Sequence, residues 1–294
     1  MQKAAFGLCA GILMGCAQAA GAQEAGIEPA GDWETSSDEE SCTLVRSFSV
    51  QSAGDTQIYL KSWGPNAPNR VSIVGPTMLR HKGKAVPAVA GFGDSENAEI
   101  YAIASAYGDQ PMMQFQANGP RRRADLAVHG LGYVYTRDFR EVAVGLDPSS
   151  QTLRINAPGM LPHEFSIGPM DQPMEFLRGC EDQLVAMWGY DPAFEKDAQR
   201  PPTLNNGRSV AQNLYLPSAY IVNHQSWIAH MRLTVTTEGK VADCVVQSPR
   251  FSRKSLRQFC RSIDLHAEFL PALNAAGKPV PALYHASVMF VTAD

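Results

Sequence analysis

The stretch IAHMRLTVTTEGKVADCVVQ, residues 228–247, decides the fold predicted for the C-terminal part of this chain. Its first half places apolar side chains at every second position from Ala229 to Val235, with polar residues between them. Alternation with a period of two is typical of a strand that buries one face. Glu238–Gly239 then predicts a tight turn, and Val241–Gln247 predicts the returning strand of a β-hairpin.

A helix and a third strand are predicted after this hairpin. Ser252 is a suitable N-cap residue, and the apolar residues that follow have the spacing of one helical face. These residues are Leu256, Phe259, Cys260 and Ile263. Residues 284–291 alternate again and predict the closing strand. The predicted order of elements is therefore ββαβ.

This part of the chain resembles the TonB C-terminal domain family. The resemblance covers residues 214–291, and the matching segments are Leu233–Val235, Glu238–Val241, Cys244–Ser248, Phe269–Ala272, Gly277–Val280 and Val288–Val291. The family implies a periplasmic domain that docks on outer-membrane transporters by taking their TonB-box strand onto its sheet edge. An exposed edge suits this role because its N–H and C=O groups are unpaired. The resemblance implies that the accepting edge is the last strand, with Tyr284, His285, Ala286, Ser287, Val288, Met289, Phe290 and Val291 as the partner-binding residues.

Some features depart from the family pattern. The family has a Gln-Tyr-Pro-like segment where this chain has Tyr215–Leu216–Pro217, and Trp227 stands where a glycine is usual. Energy transducers also carry an uncleaved N-terminal helix and a long proline-rich spacer, whereas the sequence here predicts a cleavable leader and a short linker. These differences favour an interaction role over force transmission.

The N-terminus has the pattern of a secretory signal peptide, assigned to residues 1–22. Lys3 precedes an apolar run from Ala4 to Met14, and two small-x-small cleavage sites follow at 17–19 and 20–22. Cleavage would place the protein in the periplasm. Two alternatives remain: lipidation at Cys16 within Leu13–Met14–Gly15–Cys16, or retention of residues 4–22 as an inner-membrane anchor.

The cysteines agree with export. Four lie beyond the predicted leader, namely Cys42, Cys180, Cys244 and Cys260. An even number in an oxidising compartment predicts disulfides, for which three pairings exist. Their spacing favours Cys42–Cys180 and Cys244–Cys260, one bridge in each of two domains.

The fold class predicted for the whole chain is α+β. Residues 23–41 are expected to be a flexible segment, 42–190 a β-rich domain of unknown family, 191–213 a linker and 214–294 the TonB-like domain. Candidate strands of the first domain, at 43–50, 56–63, 70–74, 98–104, 112–116, 132–136, 152–155 and 164–167, predict an antiparallel sandwich or barrel. A helix should end it, with Asp171 as its cap, Pro173 in its first turn and Gly189 just past its end.

Nothing in the sequence promotes an enzyme, a metal site or a cofactor. The sequence contains no Gly-x-Ser-x-Gly elbow, phosphate-binding loop or His-Glu-x-x-His motif, and the histidines at 81, 129, 163, 224, 230, 266 and 285 are scattered. A formal net charge of −4 gives no global bias toward nucleic acid, and Arg121–Arg123 is interpreted as a solvated turn.

Two functional hypotheses follow. The first is a non-enzymatic module that binds an outer-membrane transporter or another envelope protein by strand addition. The alternative is a ligand-binding or enzymatic β-domain whose TonB-like tail localises it or forms a homodimer.

Overall fold

The computed structural model describes residues 26–50, 54–94, 97–118, 133–134, 143–194, 198–215, 223, 225–247 and 252–291. Within them the fold is α+β, built mostly from antiparallel strands with three short helices. The predicted signal peptide, Arg121–Arg123, His129 and His224 lie outside the described residues.

The larger sheet contains most strands of the N-terminal part. They are β1 (Glu34–Ser37), β2 (Cys42–Val50), β3 (Gly54–Ser62), β4 (Asn69–Val74), β5 (Lys84–Phe92), β6 (Ala98–Tyr107), β7 (Gln110–Asn118), β9 (Ala143–Gly145), β10 (Thr152–Asn156) and β11 (His163–Ser166). Their spatial order is β1-β2-β3-β4-β7-β6-β5-β10-β11, and β9 pairs with β7 in parallel. Of the predicted strand at 132–136, only β8 (Tyr133–Val134) is described.

The larger sheet closes on itself into a barrel through residues 26–30. Ile27 forms a bridge to Phe165 of β11, and Pro29 forms a bridge to Phe48 of β2. The rings of Phe48 and Phe165 meet edge to face, with centroids 5.2 Å apart, behind this seam. The expectation that residues 23–41 are loose is therefore not met by 26–41. The acidic and Gly-rich composition of this segment is typical of a loop. Its backbone pairing depends on strands that are distant in sequence, so the composition could not predict it.

Apolar side chains fill the barrel. Leu44, Val71, Phe115, Leu153 and their neighbours form one buried cluster. Helix α1 (Asp171–Met187) packs against it through Met174, Leu177, Cys180 and Leu184. The predicted Cys42–Cys180 bridge is confirmed, and it ties α1 to β2.

Only one of the two predicted ends of α1 is confirmed. Met170 is the N-cap residue and Asp171 is the first helical residue, so the predicted side-chain cap is wrong. Gly189 follows the helix with φ 84°, and its N–H donates to the carbonyl of Ala186. A left-handed glycine just past the last turn ends a helix without strain.

The smaller, C-terminal sheet has the order β14-β13-β18-β8. It is formed by β13 (Trp227–Val235), β14 (Val241–Val246), β18 (Ala282–Phe290) and the two residues of β8. Helix α3 (Arg253–His266) lies between β14 and β18 in sequence, and its N-cap Ser252 accepts a hydrogen bond from the N–H of Ser255 at 3.2 Å, as predicted. Phe259 and Ile263 of this helix pack on one face of the sheet.

Short elements occupy the segment that was predicted to be a linker. They are β12 (Thr203–Leu204) and α2 (Gly207–Asn213), while β15 (Phe269–Leu270), β16 (Ala272–Leu273) and β17 (Pro279–Val280) follow α3. Val210 is buried in the C-terminal cluster, and β12 pairs with β15. Residues 203–213 therefore belong to the packed C-terminal part, because burial of a few apolar side chains outweighs the turn-forming residues around them.

Candidate functional site

The last strand, β18, is not the open edge that the family resemblance implied. All nine of its residues are buried, including the predicted partner-binding residues from Tyr284 to Phe290, and Val291 beyond it is half-buried. β13 pairs along its whole length on one side. On the other side, Val288 and Met289 pair in parallel with Tyr133 and Val134. An open edge along the whole of β18 is therefore not observed, while partner binding at residues 284–291 stays a prediction.

The outer edge of the C-terminal sheet is β14. Among the described residues, no strand pairs with its outer side. Ala242 and Asp243 are exposed, and Ala242 has no partner in the register with β13, where the ladder shifts between Thr234 and Val235. A shift of this kind is a β-bulge, a common device at sheet edges.

A disulfide holds β14 in place. Cys244 of β14 and Cys260 of α3 are bonded, as predicted, with Cα atoms 5.7 Å apart. Both side chains are half-buried against the C-terminal cluster. The edge strand is therefore attached to the helix covalently as well as by packing, so it is a rigid template.

The second face of the C-terminal sheet packs on the barrel, and this contact is called the junction. At its centre, the ring of His230 stacks on Trp63 with centroids 3.5 Å apart and planes inclined by 8°. Nδ1 of His230 lies 2.7 Å from the hydroxyl of Ser287 on the neighbouring strand. Both His230 and Ser287 are fully buried. Ile228 and Met289 on the same face join the barrel's apolar cluster.

The charges around His230 oppose its protonation. Burial lowers the pKa of His230 well below its ordinary value, and the positive charges of Arg70 and Lys61 lower it further. The Arg70 guanidinium carbon lies 4.6 Å from the centroid of the Trp63 ring. The imidazole is consequently neutral near neutral pH, as a buried base among cations must be. Within the described residues its Nε2 has no hydrogen-bond partner.

A second aromatic contact flanks the first. The rings of His285 and Trp188 lie 5.5 Å apart, and the Arg232 guanidinium carbon lies 4.0 Å from the centroid of Trp188. Gly64 approaches His285 so closely that a Cβ built on it would lie 2.5 Å from Cε1 of the imidazole.

Polar groups complete the junction. The side-chain amide of Gln247 donates to the carbonyl of Trp63 at 3.0 Å and to the carboxylate of Glu40 at 3.2 Å. Glu40 also lies 3.4 Å from Arg232. The hydroxyls of Tyr190 and Thr234 are 3.0 Å apart.

No local sequence pattern predicted this junction. His230 alternates with apolar residues on β13, which indicated a solvent-facing polar side, and the histidines lacked ligand spacing. The available signal was in the residue types, since Trp63, Trp188, His230 and His285 all carry ring side chains. Such rings are suited to a buried contact between two polar surfaces.

Outside the junction and β14, the part of the chain that the structure describes has few features that suggest a functional site. An open depression is lined by Phe92, Gly93, Asp94, Asp147, Ser149, Ser150, Gln151 and Thr152. Asp147 caps its own turn there by accepting from the N–H and hydroxyl of Ser149. Over the described residues, no three His, Cys, Asp or Glu side chains are grouped as metal ligands, and no helix is long and apolar enough to cross a membrane.

Comparison with protein-family models, curated proteins and solved structures gave no significant match to this chain.

Proposed function

We propose that this chain is an exported, non-enzymatic interaction module whose TonB-like C-terminal sheet binds an envelope partner by strand addition. The observation that carries the proposal is the C-terminal arrangement itself: the order β14-β13-β18, with α3 on one face. This is the ββαβ order expected from the resemblance to the TonB C-terminal domain family. Two disulfides also fit an oxidising compartment.

The partner's strand would add to β14. All of β18 is buried, and Val288 and Met289 already pair with β8, so a partner's strand could not add along its whole length. β14 offers such a row, and its bridge to α3 keeps the row in a fixed shape. A pre-organised edge binds with a smaller entropy cost than a flexible one. The partner class remains the one that the resemblance implies, an outer-membrane transporter or another envelope protein.

A peptide carrying a TonB box tests the proposal. On binding, amide hydrogen exchange should slow in Val241–Val246 and stay unchanged in Ala282–Phe290. A peptide of the same sequence with alternate backbone amides methylated keeps its side chains but cannot pair as a strand, so it should not bind. Failure of the unmodified peptide to bind at millimolar concentration, or protection confined to β18, would count against the proposal.

A matched pair of proline variants extends this test. Proline lacks the N–H that a strand ladder needs, and Ala242 lies outside the β13 register, so Ala242→Pro should block peptide binding while the fold is kept. Ala275→Pro is the control, because Ala275 is exposed in the turn in which the N–H of Gly277 donates to Asn274. It should bind the peptide as the unchanged chain does.

The alternative, a ligand-binding or enzymatic N-terminal domain, has less support. The inside of the barrel is occupied by the apolar cluster, so a ligand would have to bind on an outer surface.

A further inference from the structure

Three loops meet at one end of the barrel. Thr77 Oγ1 lies 2.6 Å from Nε2 of His163, which joins the β4–β5 loop to the start of β11. A Cβ built on Gly159 would lie 3.7 Å from the Leu79 side chain, so the β10–β11 loop contacts the same segment. Arg80 donates to the carbonyl of Asp109 in the β6–β7 turn. Residues 79–84, 107–110 and 157–162 are here called the basic end.

The basic end is both cationic and apolar. Arg80, His81 and Lys82 are exposed in succession, Lys84 follows, and no acidic residue occurs from Gly75 to Gly93. Leu161 is 78% exposed at the tip of its loop, and Tyr107 is 62% exposed on the adjacent hairpin. Two acidic residues lie near these basic ones: Asp109 in the β6–β7 turn and Glu164 in β11. Basic side chains around an exposed Leu and Tyr form the pattern of a surface that rests on anionic lipid.

The path of the chain points to the same end. Ile27 pairs with Phe165 in parallel, and its N–H donates to the carbonyl of Glu164 at 2.7 Å. In a parallel pair, the lower-numbered ends lie together, so Gly26 lies on the side of β11 that leads back to Leu161. The described chain therefore enters the barrel from the basic end.

From these observations we propose that the basic end binds an anionic phospholipid surface, which orients the barrel with Leu161 and Lys82 toward the membrane. Leu161 would enter the headgroup region, and Arg80 and Lys82, which are both exposed, would lie against lipid phosphates. The surface is separate from β14, so it can hold the protein at a membrane while the edge strand is free for a partner. This inference does not depend on the strand-addition proposal.

The test is a vesicle flotation assay. The protein is expressed with its complete sequence, exported by the cell, and purified with whatever N-terminus export has produced. Vesicles are phosphatidylcholine alone or phosphatidylcholine with phosphatidylglycerol. We expect flotation with the phosphatidylglycerol vesicles, weaker flotation without that lipid, and release by salt. Lys82→Glu should lower the partition coefficient at least about fivefold, since each basic residue contributes that much. Leu161→Ser should lower it about tenfold.

Two variants on α3 are matched controls. Lys254 is exposed, and Leu265 is 64% exposed, so Lys254→Glu and Leu265→Ser make the same chemical changes at another surface. Both should float as the unchanged chain does. The inference is overturned if the chain does not float, if it floats equally with both vesicles, or if the variants at Lys82 and Leu161 behave like their controls. Each of these results is distinguishable from a failure of peptide binding at β14.

Discussion

Trp63 of the barrel and His230 of the C-terminal sheet stack face to face, with ring centroids 3.5 Å apart. Both side chains are buried, and Nδ1 of the imidazole forms a hydrogen bond with the hydroxyl of Ser287. The pair lies among cations, since Arg70 and Lys61 both lie over the Trp63 ring. The contact between the two sheets therefore depends on an imidazole that must stay uncharged.

Acid should weaken the fold through His230. Its folded-state pKa is depressed, chiefly by burial, so below about pH 6.5 the unfolded chain binds the proton more readily. The free energy of unfolding should be unaffected by this group well above pH 6.5. Below it, the free energy should decline by up to about 1.4 kcal/mol per pH unit until the folded-state pKa is reached. Urea unfolding between pH 7.5 and 5 measures the slope.

His230→Phe isolates this contribution. Phenylalanine keeps a ring to stack on Trp63 but does not titrate, so the slope below pH 6.5 should become shallower even though the lost Ser287 bond costs about 1–3 kcal/mol at every pH. An unchanged slope in the variant would show that other groups cause the acid sensitivity.

Gly64→Ala should separate the two sheets. Gly64 has φ 128°, and an added Cβ would lie 2.5 Å from Cε1 of His285. Strain at such a φ costs about 1–3 kcal/mol, and the overlap with a buried ring adds to it. Gly108→Ala is the control, because Gly108 also has positive φ but a Cβ there meets nothing within 4 Å. Urea unfolding should show a clearly larger loss for Gly64→Ala; equal losses would mean that His285 simply moves aside.

The two disulfides should differ in their contribution to stability. Cys42 and Cys180 are 138 residues apart and buried, whereas Cys244 and Cys260 are 16 apart and half-buried. In the chain-entropy model, the first bridge contributes about 4–5 kcal/mol and the second about 3 kcal/mol. Replacing each pair by serine and measuring urea unfolding tests the order. Under graded reductant, mass spectrometry should detect free Cys244 and Cys260 first, and the reverse order would contradict the burial argument.

The sequence predicted those elements whose signals are local. The β13–β14 hairpin combines alternation with a Gly239 turn, and Ser252 caps its helix, so each could be recognised from neighbouring residues.

Strand β5 was not predicted, because Pro87 and Gly91 interrupt its sequence pattern. The structure tolerates Pro87 because β10 pairs with residues 89–92, and among the described residues no strand pairs with that side of β5 at the proline.

The junction could not be predicted in this way. The polar face of β13 carries His230 and Arg232, a pattern that is equally typical of a solvated strand. Whether that face is buried depends on Trp63 and Trp188, which lie more than forty residues away in sequence. The burial of β18 likewise depends on β8 and the barrel, and neither leaves a local signal in residues 282–290.

Arg46→Met should open the seam of the barrel. The Arg46 side chain donates to the carbonyl of Gly31 at 2.8 Å and to that of Ile167 at 2.5 Å, so it joins the N-terminal segment to the end of β11. Methionine keeps the length of the side chain but makes neither bond, which should cost about 1–3 kcal/mol. Amide exchange should accelerate at Ile27 and Ser166 more than in β13. Arg257→Met on the exposed side of α3 is the control, and uniform acceleration throughout the chain would mean that the seam does not open locally.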